Sequence, residues 1–103
     1  MYLMEFSMPP LAQGESVSRY VARCVEIVAQ SRLDYRLHAM GTVVEGDLEP
    51  LLAVLRQCFA AMQADCDRVT CSVKFDYRRG RVGGLESKVA SVEQHLGREL
   101  KRT

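Results

Sequence analysis

Two segments of the chain place apolar residues at every second position, and this period of two is typical of half-buried β-strands. In residues 2–8 the even positions are apolar, and in residues 69–76 the odd positions are apolar. Two shorter extended runs, residues 35–40 and 42–46, flank Gly41. Their closeness favours an antiparallel hairpin or a strand bent at the glycine. The pattern therefore predicts four strands.

Three other segments place apolar residues three and four positions apart, which predicts amphipathic helices. The first begins near Ser16 and the second near Asp47, residues of the type that caps helix N-termini, and Pro50 is tolerated in a first helical turn. The third covers residues 85–100. The apolar stripes are Val17, Tyr20, Val21, Cys24, Val25 and Val28; Leu51, Leu55, Cys58, Phe59 and Met62; and Leu85, Val89, Val92 and Leu96.

The order of these elements is βαββαβ followed by a C-terminal helix. This order predicts an α+β, ferredoxin-like domain over residues 1–103, with two helices packed on one face of an antiparallel sheet. The other face is expected to be uncovered, and to contact a partner subunit or to line a ligand site. Its residues are mostly polar: Glu5, Ser7, His38, Glu45, Thr70, Ser72, Lys74 and Asp76.

Composition narrows the classes of function. With 103 residues, 48% of them hydrophobic, the chain can bury one core, and its net charge of +1 gives no general attraction to nucleic acid or to membranes. No apolar run reaches the roughly 18 residues of a membrane span, and no signal peptide is recognisable, so a cytoplasmic, unprocessed protein is expected. The four cysteines lack metal-ligand spacing, which predicts reduced thiols and neither a metal nor a cofactor.

Short motifs along nearly the whole chain resemble the thiamine-binding (YkoF-like) protein family, in its single-domain branch. They are Glu5-Phe6-Ser7, Gly14-Glu15-Ser16-Val17-Ser18, Tyr20-Val21, Met40-Gly41-Thr42, Glu45-Gly46, Arg68-Val69, Lys74-Phe75-Asp76, Arg78-Arg79, Lys88 and Ser91-Val92-Glu93. The chain departs from the family pattern at Ala39, where proline is frequent, at Cys71-Ser72, where two threonines are usual, and at Tyr77 and Gly80, which replace acidic residues.

The resemblance implies a homo-oligomer, a dimer or a tetramer, that binds thiamine or its hydroxymethylpyrimidine part without catalysing a reaction. Thiamine carries a cationic thiazolium and a flat aminopyrimidine, which call for a carboxylate or an aromatic face and for paired polar groups. Glu45 is the first candidate ligand residue, together with Met40, Gly41 and Thr42 of the adjoining motif. A turn glycine beside an exposed acid is the simpler interpretation of the same residues.

Four further ligand residues are predicted. Glu5 and Ser7 lie on the polar face of the first strand, and Ser16 precedes a helix whose free N–H groups can hold an anion or a carbonyl. Tyr35 can stack on a ring, although a lone strand aromatic is more often part of the core. The basic loop of residues 78–84 can hold a phosphate or can simply be solvated.

Two other functions share this fold. An acylphosphatase-like enzyme is disfavoured because residues 9–15 contain no basic residue and the chain contains no asparagine. RNA binding is disfavoured because the uncovered face lacks aromatic side chains, with Phe6 and Phe75 expected to point toward the core. A structural or regulatory homo-oligomer without a small ligand remains the principal alternative.

Overall fold

The computed structural model describes residues 1–11 and 17–101, which form a four-stranded antiparallel sheet with the strand order β2-β3-β1-β4. This order confirms the predicted ferredoxin-like α+β fold with an additional C-terminal helix. The elements are β1 (Tyr2–Ser7), α1 (Ser18–Gln30), β2 (Asp34–His38), β3 (Gly41–Gly46), α2 (Leu48–Gln63), β4 (Ser72–Tyr77) and α3 (Gly84–Leu96).

The main core lies between α1 and α2 and the sheet face that carries Met4, Phe6 and Val44. Tyr20 is its largest fully buried side chain. Sulfur-containing residues are prominent among the remaining members, which are Met8, Cys24, Val28, Leu51, Val54, Cys58, Met62 and Cys66. Most residues of the apolar stripes predicted for the first two helices therefore supply or adjoin this core, as in amphipathic helices, whereas Val17 and Val21 are exposed.

The opposite face of the sheet is partly covered, contrary to the expectation from the sequence. Leu3 pairs with Glu45 in the register of β1 and β3, and both side chains are on the face away from Met4 and Val44. Both are nevertheless buried, with exposed fractions of 8% and 5%. The reason is that α3 packs over this part of β2 and β3, next to Leu3.

The edge strand β4 is exposed on its helix side. Val73, Phe75 and Tyr77 alternate with polar residues as the sequence predicts, but their exposed fractions are 42%, 36% and 54%. Phe75 is on the core side of the sheet as expected, since it is opposite Met4, but it is not buried, because α1 and α2 do not cover the apolar side of this strand. Tyr77 instead packs against the Tyr2 ring, with 4.8 Å between ring centroids.

The helix ends also differ from the sequence prediction. Helix α1 begins at Ser18, and Val17 occupies the cap position that the sequence assigned to Ser16, which lies outside the described residues. Asp47 does stand at the N-terminus of α2, although its side chain makes no capping hydrogen bond. Helix α3 ends at Leu96, followed by Gly97 with a left-handed backbone, which closes helices readily.

Polar contacts join α1 to the C-terminal end of α2. The Arg23 guanidinium donates to both carboxylate oxygens of Asp65, at 2.7 and 3.0 Å, and to the carbonyl of Ala61. This bidentate bond lowers the pKa of the Asp65 carboxyl from its ordinary value. The pair is partly exposed, so it fixes geometry more than it contributes to stability.

The four cysteines are free thiols in the structure. Three are buried and Cys71 is half-buried, just before β4. Burial raises the pKa of the Cys66 and Cys71 thiols, which keeps them protonated near neutral pH. None of the helices in residues 1–11 and 17–101 is both long and apolar enough to cross a bilayer.

Candidate functional site

The register of the sheet brings several predicted ligand residues to one end. Phe6 pairs with Thr42 and His38 pairs with Gly41, so the end of β1 lies beside the β2–β3 turn. A Cβ atom built on Gly41 would lie 2.8 Å from the backbone oxygen of Phe6. Only glycine therefore allows this close approach of the two strands without a shift.

A cavity of about 170 Å³, here called the turn pocket, opens at this end of the sheet. It is lined by the end of β1, the first turns of α1 and the β2–β3 turn, including Ser7, Val21, Met40, Gly41 and Thr42. A dry protein cavity of about 150 Å³ is sufficient for benzene. The turn pocket is thus large enough for a single six-membered ring.

Two neighbouring depressions share side chains with the turn pocket. A groove of about 660 Å³ between the sheet and α3, here called the sheet groove, shares Leu37 and His38 with it. A hollow of about 150 Å³ shares Ser7 and Met40 with the turn pocket and Glu5 with the sheet groove. Glu5, Ser7, Met40, Gly41 and Thr42 therefore surround one junction, and these five residues together are here called the strand-end site.

The strand-end site combines buried and accessible polar groups. Thr42 is 5% exposed and Ser7 is half-buried, whereas the Glu5 side chain is 52% exposed. Oε2 of Glu5 lies 3.3 Å from Nε2 of His38, and Nδ1 of His38 accepts a hydrogen bond from the Met40 backbone N–H at 3.2 Å. The arrangement offers hydroxyl groups next to an apolar wall and one carboxylate at the opening.

Two predicted ligand residues are not part of this junction, and a third is not among the described residues. Glu45 is buried under α3, where its Oε2 accepts a 2.6 Å hydrogen bond from the backbone N–H of Gly84. Tyr35 is opposite Val44 in the register and packs against the main core. Ser16 lies outside the described residues, although Val17 lines the turn pocket. A ligand role for these three stays a prediction.

The basic loop after β4 holds α3 in place through one of its arginines. The Arg81 side chain is 8% exposed and donates to the Asp76 carboxylate at 3.2 Å and to its carbonyl at 2.8 Å. Lys88 of α3 pairs with the same carboxylate. The hydrogen bonds from Lys88 and then from Arg81 lower the pKa of the Asp76 carboxyl. Arg81 therefore has a structural partner, whereas Arg78 and Arg79 are exposed.

The sequence placed His38 on the uncovered sheet face, but it identified neither the contact of His38 with Glu5 nor the sheet groove. The antiparallel register placed Glu5 beside His38, and that pairing was open to prediction once the hairpin was assigned. The sheet groove could not be predicted in this way, because it depends on where α3 packs. Within residues 1–11 and 17–101, no three histidine, cysteine or acidic side chains cluster closely enough for a metal ion.

Fold and site together define a small ferredoxin-like α+β protein with a ring-sized pocket at one end of its sheet. The family model described as "Thiamine-binding protein" matches residues 4–93. The chain therefore belongs to the thiamine-binding protein family, which confirms the resemblance stated from its motifs.

Relatives in other organisms agree with this assignment. The chain is 36% identical over 88 residues to the UPF0045 protein MJ1052 of Methanocaldococcus jannaschii, covering 85% of this chain and 88% of that protein. It is 38% identical over 94 residues to the UPF0045 protein YqgV of Bacillus subtilis, covering 86% of this chain and 90% of that protein.

Solved structures agree as well. The crystal structure of MJ1052 superposes with a TM-score of 0.83 at 34% identity, covering 90% of this chain and 96% of that one. The structure of Thermotoga maritima protein TM0486 superposes with a TM-score of 0.78 at 18% identity, covering 88% of this chain and 97% of that one. At that identity the second likeness shows the fold alone.

Proposed function

We propose that this protein binds thiamine, or its hydroxymethylpyrimidine part, at the strand-end site and does so without turnover. The observation that carries the proposal is the junction itself, where four of the eight predicted ligand residues line a cavity of about 170 Å³ and a fifth, Glu5, lines the adjoining hollow. Membership of the thiamine-binding protein family supports the choice of ligand. TM0486, provisionally named as a thiamine biosynthesis or salvage protein, has the same fold.

The chemistry of the ligand fits the two ends of the site. In the proposed pose the aminopyrimidine enters the turn pocket and its polar edge contacts the Thr42 hydroxyl, while Ser7 lines both the turn pocket and the adjoining hollow. The thiazolium extends toward the Glu5 carboxylate, which is on the accessible side of the junction. A carboxylate there stabilises the cation without the cost of a fully buried charge.

We infer that binding is the whole activity. The names of the family and of its relatives specify no reaction, and the five residues of the strand-end site include no nucleophile paired with a base and an orienting third group. A structural oligomer without a ligand is the second candidate function, and the binding measurement below separates the two.

The first test removes the Thr42 hydroxyl. Thr42→Val should weaken binding of hydroxymethylpyrimidine by about 0.5–1.5 kcal/mol, because one neutral hydrogen bond is lost. Isothermal titration calorimetry gives the affinity, and chromatography of the ligand afterwards checks that it is recovered unchanged. Thr42→Ser is the matched control, since it keeps the hydroxyl and should keep most of the affinity.

Two results would contradict the proposal. Absence of heat with thiamine, its phosphates and hydroxymethylpyrimidine at millimolar concentration would favour the purely structural oligomer. Equal affinities in wild type and a folded Thr42→Val variant would mean that the protein binds the ligand at a site that does not include Thr42.

Self-association is also proposed, as a dimer or a dimer of dimers. Edge strands with unpaired backbone groups and exposed apolar side chains are commonly covered by another subunit. Here the helix side of β4 exposes Val73, Phe75 and Tyr77, and the outer half of the α3 stripe exposes Val92 and Leu96. Light scattering should therefore give a mass of two or four chains at micromolar concentration.

A charge on the edge strand tests which surface is used. Phe75→Lys should lower the mass, because a lysine on an edge strand opposes pairing. Val82→Lys, at a loop position that is 71% exposed, is the control and should leave the mass unchanged. A wild-type mass of one chain would end this part of the proposal.

A further inference from the structure

His38 is held between two polar groups at the edge of the strand-end site. Its Nδ1 accepts the backbone N–H of Met40, and its Nε2 faces Oε2 of Glu5. A neutral imidazole has one nitrogen that donates and one that accepts. Both contacts are satisfied together only by the neutral ring that carries its proton on Nε2.

The bond to Met40 closes the β2–β3 turn. Ala39 and Met40 link the last residue of β2 to the first residue of β3, and both line the turn pocket. The Met40 side chain is 83% exposed, so side-chain burial contributes little to the position of this segment. The backbone bond to His38 is consequently an important restraint on the pocket wall.

We propose that His38 is a positioning residue whose neutral form fixes the β2–β3 turn for ligand binding, and whose protonation releases the turn. The proposal rests on the function proposed above and adds its control by pH. A protonated imidazole carries hydrogen on both nitrogens and has no acceptor left for the Met40 N–H. The two N–H groups then face each other and the turn bond is lost.

The charged surroundings of His38 do not restore that bond. The groups that face it across the sheet groove are Glu5 on β1, Arg36 on its own strand, Lys74 and Asp76 on β4, and Lys88 on α3. Arg36 is paired with Glu86, and Asp76 with Lys88 and Arg81, which leaves Glu5 as the carboxylate in contact with the ring. Glu5 interacts with Nε2, the nitrogen away from the turn.

The expected direction is weaker binding in acid. The comparison is made at about pH 8 and about pH 5.5, which lie on either side of the range in which imidazole groups ordinarily change charge. Loss of one neutral hydrogen bond changes an equilibrium by about tenfold or less. We therefore expect hydroxymethylpyrimidine to bind about three- to tenfold more weakly at the lower pH.

Two variants at position 38 distinguish the effect of the hydrogen bond to Met40 from the effect of the contact with Glu5. In His38→Asn the side-chain oxygen takes the place of Nδ1 and accepts the Met40 N–H, as asparagine does in turns. This variant should keep the affinity at pH 8. In His38→Gln the amide reaches toward Glu5 but leaves the turn open, so affinity at pH 8 should fall about three- to tenfold.

Calorimetry with hydroxymethylpyrimidine at both pH values provides the comparison. The ligand ring also takes up a proton in acid, so the decisive quantity is the change in wild type relative to the change in His38→Asn. A larger fall in wild type supports the proposal. Equal falls in the two proteins, or full affinity in His38→Gln, would overturn it while leaving the function intact.

A measurement without ligand tests the hydrogen bond between His38 and the β2–β3 turn separately. In nuclear magnetic resonance spectra, the His38 ring nitrogens should show the Nε2–H tautomer, and the Met40 amide signal should move as His38 titrates. If wild type fails to bind at pH 8, the proposed function is wrong and these spectra still decide the role of His38. The opposite tautomer, or a Met40 amide that does not respond, would disprove that role.

Discussion

Replacement of Glu45 by alanine is expected to lower the free energy of unfolding by about 1.5–3 kcal/mol. The carboxylate is 5% exposed and accepts the N–H of Gly84, the first residue of α3. A hydrogen bond to a charged group contributes about this much, and a negative charge at a helix N-terminus adds to it. Urea denaturation followed by circular dichroism measures the change.

Two further substitutions make the Glu45 result specific. Glu45→Gln keeps an oxygen acceptor without the charge and should lose roughly half as much, since charge-assisted hydrogen bonds are about twice as strong as neutral ones. Glu49→Ala removes an exposed acid from the first turn of α2 and should cost about 0.5 kcal/mol. An unchanged denaturation midpoint in Glu45→Ala would show that the Gly84 contact contributes nothing.

The same variants decide whether Glu45 also binds ligand. The sequence made it the first candidate, whereas the structure places it beneath α3 and away from the turn pocket. We expect folded Glu45→Gln to bind thiamine within about twofold of wild type. A loss of tenfold or more, the size of a charge-assisted contact, would return Glu45 to the binding site.

Replacement of Gly41 by alanine is expected to cost about 1–3 kcal/mol of stability, the usual range for overpacking. The added Cβ would lie 2.8 Å from the Phe6 carbonyl oxygen, which is backbone and cannot rotate away. Strands β1 and β3 must separate at the strand-end site, so affinity for hydroxymethylpyrimidine should fall as well. Denaturation and calorimetry on the same preparation measure both effects.

Gly46, at the other end of the same strand, is the matched control. A Cβ there would lie 3.1 Å from a terminal methyl of Leu33, a side chain that can change rotamer. Gly46→Ala should therefore cost less than half as much and leave ligand affinity unchanged. Equal stability losses at the two positions would mean that the approach to Phe6 is not the cause.

The sequence predicted the fold well because alternation and helical spacing are local signals. The strand order followed from the order of the elements, and the grouping of Ser7 with Gly41 and Thr42 followed from antiparallel pairing. The position of α3 did not follow from the sequence. An apolar stripe predicts that a helix packs against another element, but it does not predict which face of the sheet the helix covers. Glu45 was therefore assigned to an uncovered face, at a place that α3 covers.

Phe75 and Glu45 show two limits of prediction from strand patterns. Alternation identified the apolar side of β4, but it cannot show whether a helix extends over an edge strand, and Phe75 is exposed for that reason. The ligand role of Glu45 stays a prediction, because a carboxylate suits a cationic ligand and a helix N-terminus equally well. Only the tertiary contact with Gly84 distinguishes the two roles.

The attachment of α3 has a consequence for cooperativity. Its described ties to the sheet are mainly polar, through Glu45, the Arg36–Glu86 pair and the Lys88–Asp76 pair, and most of its outer surface is in solvent. The main core lies entirely on the other side of the sheet. We therefore expect local opening of α3 to require less free energy than global unfolding. On this expectation the molecule has two units of unequal stability, and salt concentration should affect chiefly the weaker one.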